Sequence, residues 1–141
     1  MSMHKTGKSG HEVFTWPIRV YFQDTDAGGV VYHASYLNFM ERARTEWLRT
    51  FGYSNAGLMK QLGVVFVVRT LKLDYLKPAQ LDDMLTVTVQ IKDAGRTRVT
   101  LLQSVWRGEE VLSNAEVHLV CVTAGVFKPV SVPEVLRKQW L

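Results

Sequence analysis

Between Tyr36 and Phe51 apolar residues return every three or four positions, while the segments on either side alternate with a period of two. That change of period constrains the fold more than any other feature, because a helical stripe and a half-buried strand cannot share one pattern. Tyr36, Met40, Ala43, Trp47 and Phe51 carry the stripe, and Leu37 and Leu48 widen it. Glu41, Arg42, Arg44, Glu46 and Arg49 take the opposite side, where Arg42 and Glu46 are spaced to pair. Gly52 stands where a C-terminal cap belongs. The spacing predicts one helix of about 17 residues, close to 25 Å long, packed along a sheet.

Ahead of it, Phe14, Trp16, Ile18, Val20 and Phe22 alternate with Thr15, Arg19, Tyr21 and Gln23, the pattern of a strand with one buried face. After it come four more strand-like runs. Residues 64–76 begin apolar on both sides, which predicts burial of both faces, then alternate as Leu71, Leu73 and Tyr75 until Lys77-Pro78-Ala79. Leu85, Val87, Val89 and Ile91 alternate with polar partners. A turn at Ala94-Gly95 leads into 97–106, and Gly108 reverses the chain into 111–123. A short helical stretch over 133–140 closes the chain. The order strand, helix, four strands gives an α+β fold with one long helix on a five-stranded antiparallel sheet. Residues 13–141 read as a single domain, and 1–12 as a loose polar tail.

Composition narrows the function. In a chain of 141 residues, 47% hydrophobic and 21% charged side chains exclude a disordered chain. One cysteine, Cys121, precludes an intrachain disulfide and a Cys-based metal cage. The net charge of +4 is spread among acids, without the basic block a nucleic-acid surface needs. The longest apolar run, Val64-Val65-Phe66-Val67-Val68, is far short of the about 20 residues that span a bilayer. The N-terminus has no apolar signal core, so a cytoplasmic location is expected. Gly7-Lys8-Ser9 lacks the earlier glycine of a phosphate loop, His11-Glu12 lacks the second histidine of a zinc motif, and no nucleophile elbow occurs. His118, mid-strand, reads as structural.

One stretch joins the first strand to the helix: Asp24-Thr25-Asp26-Ala27-Gly28-Gly29-Val30-Val31-Tyr32-His33-Ala34-Ser35-Tyr36. Two acids and a histidine precede a helix start, where unpaired N–H groups and the positive dipole end favour anions or a developing oxyanion. Fully extended, the chain would hold Asp26 and His33 over about 20 Å apart; Gly28 and Gly29 let it fold back. Residue types alone leave two readings open, since Asp and Gly are also ordinary turn formers.

This stretch, with the following Glu41-Arg42-Ala43-Arg44-Thr45-Glu46-Trp47-Leu48-Arg49, resembles the hot-dog-fold acyl-CoA thioesterases. It is similar in particular to the bacterial YbgC-type, Tol–Pal-associated group of the 4-hydroxybenzoyl-CoA thioesterase superfamily. The likeness extends from about residue 16 to 122 through Phe66-Val67-Val68-Arg69, Tyr75-Leu76-Lys77-Pro78-Ala79, Leu81-Asp82-Asp83 and Ala115-Glu116-Val117. It implies a hot-dog fold and a homo-oligomer, a dimer or dimer of dimers (a homotetramer), with sites at the subunit interface. It implies Asp26 as the catalytic aspartate and His33 as the catalytic histidine, the His33 backbone N–H polarising the thioester carbonyl. Some relatives have a functional tyrosine where this chain has Phe22, with Tyr21 beside it on the other face.

The reaction implied is hydrolysis of an acyl thioester to free acid and coenzyme A, with no cofactor beyond the coenzyme A of the substrate and no metal. Asp26 either activates water or attacks the carbonyl directly; the first route requires burial to raise a carboxyl from near pKa 3.9. His33 orients the substrate or protonates the leaving thiolate. Asp24 is read as part of the loop's structure, and Glu41 and Glu46 as a solvated or interface face. Tyr32 joins the substrate-binding candidates, as do Arg69, Lys77, Arg96 and Arg98, basic residues near strand ends that suit the phosphates of coenzyme A. The alternative is a non-catalytic acyl-binding protein or partner of acyl carrier protein; a dehydratase or hydratase ranks below it, for want of that acid and histidine arrangement.

Overall fold

The structure is a computed structural model and describes residues 12–140; the expected tail, Glu12 apart, lies outside them. Strand β1 (Phe14–Arg19) precedes helix α1 (Ser35–Arg49), a short helical turn α2 (Asn55–Gly57), and strands β2 (Val64–Tyr75), β3 (Met84–Ala94), β4 (Arg98–Arg107) and β5 (Glu110–Thr123). Helix α3 (Glu134–Trp140) follows. The strands form the expected five-stranded antiparallel sheet, in the order β1-β3-β4-β5-β2. No helix among the described residues is long and apolar enough to cross a membrane.

Helix α1 lies along the sheet because its apolar stripe meets the inward residues of the central strands. Tyr36, Phe39, Met40, Ala43, Trp47 and Leu48 are buried against a core that includes Leu85, Val87, Val89 and Ile91 of β3 and Val99, Leu101 and Val105 of β4. Phe39, not Leu37, widens the stripe: Leu37 is exposed. Glu46 pairs with Arg49 at 3.5 Å rather than with Arg42. One inward position of β4 is polar. Gln103 donates through Nε2 to the Met40 carbonyl at 3.1 Å and the Thr88 carbonyl at 3.3 Å, and accepts from Arg44 at 2.9 Å. Every polar atom of that amide is matched, which is what allows it inside. Burial holds the Arg44 guanidinium below its usual range, an effect that neighbouring Glu41 opposes.

Three sequence expectations change. β1 ends at Arg19, and residues Phe22–Asp24 form a short 3₁₀ turn instead of continuing the strand. Phe22 is therefore not an inward strand residue but 81% exposed, and Tyr21 beside it is exposed as well. Double burial of β2 also fails, since Val68 is exposed. The segment after α1, which the sequence reading left without structure, is helical: Ser54 caps it by accepting from the Gly57 N–H at 2.9 Å, and it continues as a π-turn over Leu58–Leu62. α3 seals the far end, where Trp140 stacks on Trp47 with ring centroids 5.3 Å apart.

Candidate active site

The stretch between β1 and α1 folds as a miniature hairpin. Thr25 bridges to Val31, the Asp26 N–H donates to the Val30 carbonyl at 2.9 Å, and the Tyr32 N–H donates to the Asp24 carbonyl at 2.8 Å. Gly29, at φ +83°, makes the reversal that an L side chain rarely adopts. The pairing replaces the extended separation of Asp26 and His33 by one of roughly 10 Å, from ordinary strand spacings. Contacts from the connection after β2 hold the hairpin: the Val31 N–H donates to the Ala79 carbonyl at 2.8 Å, and Val30 bridges to Gln80.

The two acids part company. Asp24 is buried, and its carboxylate accepts the Tyr21 N–H at 2.8 Å. The Ser35 hydroxyl donates to its carbonyl at 3.3 Å. Asp26 is exposed; one carboxylate oxygen accepts the Gly28 N–H at 2.8 Å, an Asx turn that leaves the other oxygen open.

Helix α1 has no side-chain cap at its start. It is entered through a tight turn in which the Ser35 N–H donates to Tyr32 at 2.8 Å and the Tyr36 N–H to His33 at 3.4 Å. The N–H groups of His33 and Ala34 have no hydrogen-bond partner among the described residues. Two donors at a positive dipole end are thus free for an acceptor from outside the chain.

His33 is exposed, with two aromatic rings beside it. The exposed Tyr32 ring lies 4.4 Å from the imidazole, and Tyr75, at the end of β2, meets it edge-on at 6.4 Å. Tyr75 packs in turn on Tyr36 at 5.3 Å, and the Tyr36 hydroxyl accepts the Ala79 N–H at 2.9 Å. Burial raises the Tyr36 phenol above its usual range. Tyr75 escaped the sequence reading as a site residue, since nothing in the string marks a contact spanning 42 positions.

The basic candidates are scattered. Lys77 is near the loop but is already paired with Glu110 at 2.7 Å, and Arg107 holds the same Glu110 and Asp83, each at 2.8 Å. Arg69 is exposed at a register shift of β2. Arg96 and Arg98 flank the β3–β4 turn at the other end of the sheet, where Arg96 donates to the Ser131 hydroxyl at 2.7 Å. The single chain does not bring these two to Asp26. A cavity of about 300 Å³ lies beside α1, between Trp47, Leu48, Phe66, Val68 and Trp140, with Glu41 and Arg44 at its walls. Neither Asp26 nor His33 lines it. Among the described residues no three His, Cys, Asp or Glu converge as metal ligands.

A family model described as the thioesterase superfamily matches residues 28–114, more than half of the chain. The chain belongs to the thioesterase superfamily. It is 44% identical over 124 residues to the acyl-CoA thioesterase YbgC of Haemophilus influenzae, covering 88% of this chain and 91% of that protein. It is 48% identical over 123 residues to the acyl-CoA thioester hydrolase YbgC of Escherichia coli O6:H1, covering 86% and 91%. The crystal structure of a probable thioesterase from Bartonella henselae matches with a TM-score of 0.82 at 36% identity, over 86% of this chain and 99% of that one. This superfamily member is of the YbgC type, and its fold is the hot-dog fold.

Proposed function

We propose that this protein hydrolyses an acyl-CoA thioester to a free acid and coenzyme A, with Asp26 attacking or activating water and the start of α1 stabilising the oxyanion. The observation that carries the reading is the pair of free N–H groups at His33 and Ala34, on the same hairpin as an acid held by a glycine turn. A thioester carbonyl gains negative charge as it is attacked, and one aimed donor is typically worth about 3–4 kcal/mol. The Gly28 N–H holds one Asp26 oxygen and leaves the other to act. His33, beside the rings of Tyr32 and Tyr75, orients the substrate or protonates the departing thiolate.

A second copy of the chain completes this reading. Asp26 is exposed and the acyl-sized cavity is elsewhere along α1. β2 is an edge of the sheet, twelve residues long, and Val68 on it is 46% exposed. An edge of that length and apolarity invites pairing. Antiparallel pairing of two β2 edges about a twofold axis would lay the start of the partner's β2, and with it the far end of the partner's sheet, beside the Asp26 loop. Arg69, Arg96 and Arg98 of such an assembly stay candidates for the coenzyme A phosphates, as does Lys77 if substrate displaces Glu110. Light scattering that finds only the mass of one chain would remove this part of the proposal. A dimer of dimers is a further step of the same kind, and a cytoplasmic location goes with a substrate carrying coenzyme A.

Asp26→Asn is the direct test, read as thiol release from a panel of acyl-CoAs of graded length. Turnover should fall about 10²-fold or more with the fold intact. A variant that keeps most of the wild-type rate refutes the assignment. Wild-type protein that binds acyl groups yet releases no thiol would mark it as a non-catalytic acyl-binding protein or a partner of acyl carrier protein.

A further inference from the structure

We propose that Tyr75 is a positioning residue for the reaction, its hydroxyl orienting and polarising the peptide that links His33 to Ala34. The inference rests on the proposed active site and adds a residue from a different element. Tyr75 is the last residue of β2, and its hydroxyl donates to the His33 carbonyl at 2.8 Å. The carbonyl's other donor, the Tyr36 N–H, is distant at 3.4 Å.

In a trans peptide the C=O and the N–H point in opposite directions. A donor that fixes the His33 oxygen therefore fixes the direction of the Ala34 N–H, one of the two donors without a partner among the described residues. Hydrogen bonds in series also polarise one another, so a carbonyl that accepts from Tyr75 makes its own amide a stronger donor toward an oxyanion. The phenol is itself held. Its ring meets Tyr36 at 5.3 Å and 75°, and Tyr36 is fixed by the Ala79 N–H. Burial, and to a lesser degree Tyr36, push the Tyr75 phenol above its ordinary range, so it stays a donor through neutral and mildly alkaline pH.

Tyr75 is 47% exposed, and water competes for its hydrogen bond. Its hydroxyl thus adds little to stability, which separates a positioning role from a structural one. The test is Tyr75→Phe in the full chain, assayed with the acyl-CoA that the wild-type protein turns over fastest. kcat should fall about three- to tenfold, KM should stay within about twofold, and the midpoint of thermal unfolding should move by no more than about 2 °C. An unchanged kcat overturns the proposal, and so does a loss of rate matched by an equal loss of folded protein. Asp26→Asn run alongside separates the two claims. If it is inactive while Tyr75→Phe is fully active, only the role of Tyr75 is rejected; if it is active, the site itself is rejected.

Discussion

Asp24 and Asp26 are chemically identical and two positions apart, yet one is sealed and one is open. The difference is what each carboxylate holds: the Tyr21 N–H at the root of the loop for Asp24, the Gly28 N–H at its tip for Asp26. Replacing Asp24 by Ala leaves the Tyr21 N–H without its acceptor and should cost about 1–2 kcal/mol in urea unfolding. Asp24→Asn keeps an acceptor oxygen and should stay close to wild type. Equal losses in the two variants would show that charge, not the hydrogen bond, is what the loop uses. The sequence reading placed Asp24 in the loop's structure by residue type and position. It could not see Tyr75, because a phenol reaching a carbonyl 42 positions away leaves no local pattern.

Among the elements, α1 is tied to the sheet by more than its apolar stripe. Gln103 joins a helix carbonyl, a β3 carbonyl and the half-buried Arg44, so it fixes where along the sheet the helix lies. Gln103→Ala should destabilise the protein by about 2–4 kcal/mol, through an unmatched Arg44 and a new void; calorimetry showing under about 1 kcal/mol would mean that packing alone sets the helix. Periodicity found β3, β4, β5 and α1 because each is decided by one buried face. It misjudged Phe22, where the Asp24 carboxylate captures a backbone N–H and turns the chain away from the strand. It passed over the segment after α1, too short for an amphipathic stripe, although Ser54 before it and Gly63 after it, at φ +69°, are the punctuation of a helix.

For the molecule as a whole, ion pairs bind the connection between β2 and β3 to the turn between β4 and β5. Lys77 and Arg107 together hold the Glu110 carboxyl below its usual range, and Lys92 does the same for Glu116. A carboxyl that ionises more readily folded than unfolded stabilises the fold above its unfolded value, near 4.5. That contribution is lost as pH falls through the lower folded value. Thermal midpoints of wild type and Glu110→Gln should therefore differ at pH 7 and converge toward pH 3; a gap constant with pH would place the effect elsewhere. The run β3-β4-β5 was legible because short turns join it, whereas the places of β1 and β2 and the ion pairs depend on which segments meet once the sheet has closed.

Burial lifts the thiol of Cys121 to about 11, and the side chain is enclosed. The protein's one sulfur nucleophile is thus chemically mute in the native state. A colorimetric reagent that counts sulfhydryls would register coenzyme A as it is set free and nothing from the catalyst, so the molecule carries its own clean baseline even at high enzyme concentration.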